Sequence, residues 1–200
     1  EPLKVSDVIE ALNHIHCVDY ILDHVMEPLD TRFIRKLHEL LMAGTVDAYR
    51  QRVRPGEYRT TIPKNRDRPM IQGSQIHSSL TMLIEYYETR AEIERNQILE
   101  FHVRFEQIHP FDDGNGRVGR LIMFKECLRH DIMPFILDDK RRSRYLQGIR
   151  EWFIDRYELV DVVMEAQSRF ESQIELQKLQ KAAEFYQPEE YKEGLKNEDE

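Results

Sequence analysis

Two hundred residues with 40% hydrophobic and 10% aromatic content suffice to bury one core, and a net charge of -8 argues against a broad basic face for nucleic acid. The charge is uneven: residues 184–200 hold seven acidic side chains against Lys192 and Lys196, which leaves the body close to balanced. No apolar run approaches the roughly 20 residues of a membrane span and no secretory segment is visible, so no membrane partner is expected; Cys17 and Cys127, set among apolar neighbours, read as buried thiols of a cytoplasmic protein.

The expectation is one unit over 1–183 followed by an acidic, mobile tail over 184–200. The chain starts at Glu1 rather than Met and so reads as part of something longer. Val5, Val8, Ile9, Leu12, Ile15, Val18, Ile21, Leu22 and Val25 recur at helical steps, which predicts a helix over 6–25 with Ser6 as N-cap and Pro28 beyond its end. A second helix carries Phe33, Ile34, Leu37, Leu40 and Leu41, capped by Asp30 or Thr31 and followed by Gly44. Between Arg50 and Ile71 the helical period fades, prolines flank Tyr58-Arg59-Thr60-Thr61-Ile62, and Lys64 to Arg68 looks like a turn, so a short β-hairpin is expected. Helices then follow from Ser74 through Tyr87, from about 92 to 108, from Asn115 through Leu128, and over about 139–156 and 158–183. The fold class is all-α with one short β-hairpin. Trp152, Phe153 and Tyr157 are expected to be packing residues, and Leu176 and Leu179 are expected to pack on the body or on a second copy, which makes the last helix the candidate face for a homodimer. His14, His16, His24 and His38 lack metal-ligand spacing and take structural or surface roles, so no zinc site is expected.

The chemistry concentrates between His109 and Arg120. Pro110 and the glycines stop the preceding helix, so His109 to Gly114 form a loop and Asn115 starts a new helix. Main-chain N–H groups of Gly114, Asn115 and Gly116 then point at the loop, where a helix start favours anions and glycine allows close approach. Arg117 and Arg120, three positions apart, share a face and suit further phosphate oxygens, which describes a polyphosphate. Asp113 beside such an anion calls for a hard cation, Mg²⁺, between them. His109 is the group in the loop able to take a proton near neutrality, hence the candidate general base. Phe111 anchors the loop.

This run, His109-Pro110-Phe111-Asp112-Asp113-Gly114-Asn115-Gly116-Arg117-Val118-Gly119-Arg120, resembles the signature HxFx(D/E)GNGRxxR of the Fic family at every fixed position. Gly56-Glu57-Tyr58-Arg59 is similar to the family's GxFR-type segment, and the likeness extends over about residues 10–160. It implies a mostly helical enzyme that transfers AMP from ATP to a Ser, Thr or Tyr hydroxyl of a protein, itself included, and releases pyrophosphate. Under that resemblance His109 deprotonates the hydroxyl and Asp113 holds Mg²⁺ on the α- and β-phosphates. Asn115 with Gly114 and Gly116 binds the α-phosphate, Arg117 and Arg120 hold the β- and γ-phosphates, and Tyr145 borders the base. Thr60, Thr61 and Ile62 belong to the flap that aligns the target. Gly116 departs from the kinase-like branch, which has Lys there, and Gly114 from the phosphocholine-transferring branch, which has Ala. Ser6 and Glu10 have the spacing of the family's inhibitory (S/T)xxxE(G/N) pattern, with Ala11 in its last place, and Glu10 also fits the start of the helix after that pattern. The alternatives to the enzyme are a non-catalytic nucleotide sensor and a helical adaptor.

Overall fold

A computed structural model describes residues 4–50, 52–62 and 70–185. Eight α-helices run in order among them: α1 (Val5–Asp23), α2 (Thr31–Met42), α3 (Val46–Tyr49), α4 (Ile76–Glu88), α5 (Arg95–Ile108), α6 (Asn115–Arg129), α7 (Arg142–Glu151) and α8 (Tyr157–Phe185), with 3₁₀ turns at Gly73–Gln75 and Asp139–Arg141. The periodic apolar residues explain most of them. On α2, Phe33, Ile34, Leu37 and Leu41 are buried, and the Asp30 carboxylate caps the helix by accepting from Phe33 N–H at 2.7 Å. α1 differs at its start, because Lys4 occupies the cap position without a side-chain bond while Ser6 lies inside the helix. The helix expected from 92 begins at Arg95, where Glu94 and Gln97 form a reciprocal capping box. The helix expected over 139–156 is a 3₁₀ turn followed by the shorter α7.

Two expectations are corrected. The described residues contain no strand, so the fold is helical without the hairpin; Thr60, Thr61 and Ile62 are exposed, and residues 63–69, which include the expected turn, lie outside the described residues. The reason lies in Arg59. Its N–H donates to Pro110 O at 2.9 Å and its guanidinium to carbonyls on both sides, so this segment is fastened to the motif loop. Trp152 is fully buried, but Phe153 and Tyr157 are exposed because the turn between α7 and α8 carries them outward. Leu176 and Leu179 are exposed on α8. The expected tail falls mostly on residues 186–200, outside the described residues.

α5 and α6 pack at the centre, with α4 against α5, α2 against α6, and α1 on α2. α7 and α8 pair separately, close enough at Gly148 that a Cβ there would sit 2.6 Å from Leu159 N. A buried polar lock fixes the far end of α6. Lys125, fully buried, donates to Glu126 at 2.7 Å and to Glu27 O, while the Tyr87 hydroxyl donates to Glu126 at 3.0 Å. Arg129 holds Glu88 by two bonds of 2.6 and 2.9 Å, and Glu88 accepts from Leu29 N–H. Burial depresses the Lys125 pKa, but its carboxylate neighbour opposes that effect, and the charge is compensated in place. α6 is thereby tied to α4 and to the α1–α2 link, so its N-terminus is presented from a fixed base. No described helix is long and apolar enough to cross a membrane.

Candidate active site

The loop between α5 and α6 is shaped by two left-handed residues. His109 (φ 51°, ψ 65°) ends α5 and Gly114 (φ 78°) opens α6, so the chain reverses within five residues. Glycine suits its position; for His109 the same conformation carries strain that its surroundings must offset. They do so from four sides. Arg59, buried among the helices, donates through Nε to His109 O at 2.7 Å and through Nη2 to Ile108 O at 3.3 Å, capping the last turn of α5. Its other bonds reach Thr61 O at 2.9 Å and Ile71 O at 3.0 Å. Phe111 is buried, and His38 of α2 stacks on it at 3.8 Å with ring planes 3° apart.

His38 also fixes its own protonation. Gly56 N–H donates to Nδ1 at 2.9 Å, so Nε2 carries the proton and donates to Asp113 O at 3.2 Å. Burial pushes its pKa down to about 4, which keeps it neutral. The fourth support is Asn115. Its side chain accepts from Phe111 N–H at 2.9 Å and donates to Phe111 O at 2.8 Å, clasping the loop, which leaves its main-chain N–H as the group suited to a ligand.

These elements enclose a polar cavity of about 580 Å³, within the size range of small-ligand sites. His109, Asp113, Gly114, Asn115, Gly116, Arg117, Arg120 and Tyr145 all line it, so the residues singled out in the motif converge on one space together with the more distant tyrosine. Glu10 lines it as well, whereas Thr60, Thr61 and Ile62 lie outside its lining. His109 is nearly buried, and its Nδ1 lies 3.9 Å from the Glu106 carboxylate. Arg117 donates to Glu10 at 2.8 Å and to Asp113 at 3.2 Å. Glu10 thus meets Arg117, the first of the two motif arginines. The pair is partly exposed, so its worth is small. Glu10→Gln is expected to tighten binding of a nucleoside triphosphate by about two- to fivefold, since an anion would no longer compete with this carboxylate for Arg117. Calorimetric titration checks it, and an unchanged dissociation constant would rule out the competition.

Asp113 fits a hard cation. Its carboxylate is 56% exposed on the cavity rim, and the described residues hold no cluster of three His, Cys, Asp or Glu able to bind a metal alone. A cation here would lean on ligand phosphates, as Mg²⁺ commonly does. Arg59, named above in the GxFR-like segment, and His38, expected in a structural role, both brace the loop, whereas His102 was not singled out. His38 and His102 fall within the apolar faces of α2 and α5, where a polar ring needs partners, and that demand was the available signal.

A model of the Fic/DOC family matches residues 28–127. Curated relatives match locally: a probable protein adenylyltransferase of Aquifex aeolicus is 39% identical over 51 residues, 26% of this chain and 15% of that protein. The protein adenylyltransferase Fic of Drosophila melanogaster is 39% identical over 49 residues, 24% of this chain and 10% of that protein. The matches therefore span a small part of either relative. Among solved structures, a Fic domain containing signaling protein from Bacteroides thetaiotaomicron superposes with a TM-score of 0.70 at 18% identity, covering 85% of this chain and 71% of that one. Fic-1 (residues 134–508) from C. elegans gives 0.74 at 18% identity, covering 89% of this chain and 54% of that one. Likeness at such identities is one of fold. With half of its length matched by the family model and most of it superposing on Fic structures, the chain belongs to the Fic/DOC family.

Proposed function

We propose that this chain is a protein adenylyltransferase, moving AMP from ATP to a hydroxyl of a protein. The observation that carries the reading is the convergence on one cavity of His109, the N-terminus of α6 and both motif arginines. The main-chain N–H groups of Gly114, Asn115 and Gly116 supply fixed partial positive charge for an α-phosphate, and Arg117 and Arg120 supply forked donors for the phosphates beyond it. Asp113 would hold Mg²⁺, which when bound neutralises phosphate charge and orients the chain of phosphates.

The remaining steps belong to the protein. His109 accepts the proton of the target hydroxyl as that oxygen bonds to the α-phosphorus; the bond from the α-phosphorus to the bridging oxygen breaks, and pyrophosphate leaves with its electron pair. Arg59, His38 and Asn115 hold the loop in place, so the imidazole pays little reorganisation during the transfer. Thr60 to Ile62, exposed and tied to the motif loop through Arg59, are the segment beside which a target would lie. The family relatives named as adenylyltransferases support the reaction class, and two buried free thiols, Cys17 and Cys127, support a reducing compartment.

The test is the fate of labelled phosphorus. Incubation with Mg²⁺ and ATP labelled at the α-phosphate is expected to leave label covalently on protein, whereas label at the γ-phosphate is expected to leave none. Transfer of γ-label would make the chain a kinase. Binding of ATP with no transfer of either label would favour a nucleotide sensor.

A further inference from the structure

α1 has two apolar faces. One packs inward, where Cys17 and Ile21 are fully buried and Asn13 donates to Leu41 O at 2.9 Å and to Ala43 O at 2.7 Å. Glu10 lies toward that side, where it meets Arg117. The other face is turned to solvent. Val5, Val8, Leu12, Ile15 and Leu22 are 43–76% exposed, and Met26, just past the helix end, is 71% exposed. These residues follow one another at steps of three and four, with the exposed Asp19 in the one remaining place. From Val5 to Leu22 they form a heptad seam about 26 Å long at 1.5 Å per residue. A surface helix ordinarily keeps one apolar side, and a lone chain gains nothing from a second.

A seam of this period suits another helix, because side chains spaced in heptads interlock with holes on a helical partner. Charge then selects the partner and its direction. Val5 to Asp23 contains no Lys or Arg; Lys4 stands at the N-terminal end of the seam, and Asp19 and Asp23 stand at its C-terminal end, all three exposed. A second α1 laid antiparallel brings Lys4 of each copy to the acidic end of the other. Val5 then meets Leu22, Val8 meets Asp19 and Leu12 meets Ile15, each layer occurring twice about a two-fold axis. A parallel pair would set Asp19 against Asp19, like charge on like charge. Residues 186–200 of the same chain do not suit the seam, since their many acidic side chains would oppose Asp19 and Asp23. The first turn of α1 also needs support, because Lys4 at its cap position makes no side-chain bond. The distal half of α8 offers Leu176 and Leu179, about one turn of apolar surface against about five turns on α1.

We propose that the outward face of α1 binds a second copy of this chain, as an antiparallel pair of α1 helices. Two such seams bury on the order of 1,000 Å², the low end for a stable interface, so the pair is a dissociable dimer of about micromolar strength. The cavity lies on the other side of α1, which leaves both sites open. Each copy covers the uncapped first turn of the other and so steadies the helix from which Glu10 reaches Arg117.

The test is the oligomeric state of the full chain. Sedimentation velocity from about 1 to about 100 µM is expected to show monomer passing into dimer with rising concentration. Ile15→Lys sets a charge in the middle layer and is expected to weaken the dimer by about a hundredfold, with the melting temperature of the dilute chain unchanged because this side chain lies at the surface. If that variant folds poorly, Leu12→Glu, also at the surface, replaces it with the same expected loss. Direction is read by cross-linking. Under mild oxidation an equal mixture of Val5→Cys and Leu22→Cys chains is expected to form a mixed disulfide, whereas Val5→Cys alone forms none; the native Cys17 and Cys127 are buried and do not interfere. A chain that stays monomeric at about 100 µM, a dimer as strong after Ile15→Lys as before, or a covalent pair from Val5→Cys alone would overturn the proposal. A dimer that survives Ile15→Lys and is lost with Leu176→Lys would overturn it in favour of α8.

Discussion

Substitution of His109 by alanine is expected to slow AMP transfer by about 10²- to 10⁴-fold, the usual worth of a positioned general base, while ATP affinity stays within about twofold. The split follows from where the supports of the loop are attached. Arg59 grips His109 through its carbonyl, Asn115 clasps the Phe111 main chain, and His38 holds Asp113 through its carbonyl, so the main chain of the loop is braced at three points that alanine at 109 leaves in place. The phosphate-directed groups lie downstream of the ring, on α6. Alanine tolerates the left-handed backbone of His109 less well, at a cost of about 1 kcal/mol. His109→Asn is therefore the better companion, since asparagine accepts that conformation and also lacks a base. Both variants should bind ATP and both should transfer AMP at a rate reduced by about that factor, as judged by intact-mass rates at saturating ATP. Transfer at an undiminished rate in His109→Asn would exclude the imidazole as base.

Much of this arrangement was legible from spacing alone. Pro110 and the glycines dictate a break, and the next helix starts at Asn115 as the motif requires. The apolar periods of α2, α4 and α5 mark the faces that the core buries. The failures share a cause. Residues 52–62 look extended because they lack helical period, but the segment is fastened at Arg59, whose main chain and guanidinium bond carbonyls of a distant loop, and no local pattern encodes such a partner. Phe153 and Tyr157 satisfy helical spacing, yet the break between α7 and α8 turns that stretch outward. Asn115 was legible as the start of a helix, but the use of its amide to close a turn on Phe111 depends on a backbone path visible only in three dimensions.

Arg59→Met is expected to lower folding stability by about 3–5 kcal/mol, the range found when a buried hydrogen-bond network is broken. Methionine preserves much of the volume but donates nothing, so the Ile108 and His109 carbonyls at the end of α5 lose the guanidinium that caps them, as do Thr61 O and Ile71 O on the neighbouring segment. Arg59→Lys distinguishes charge from geometry. An ammonium is one compact donor centre, whereas the guanidinium reaches four carbonyls in different directions from one plane, so lysine is expected to recover a minor part of the stability. Urea unfolding measures both differences directly. The same variants are expected to lose AMP transfer in the folded population, because the His109 carbonyl and the Thr60 to Ile62 segment are held by one side chain and are released together. Should Arg59→Met unfold at the same urea concentration as the parent chain, the loop would have to draw its shape from His38 and Asn115 alone, and Arg59 would lose its place as the joint between the motif and its flanking segment.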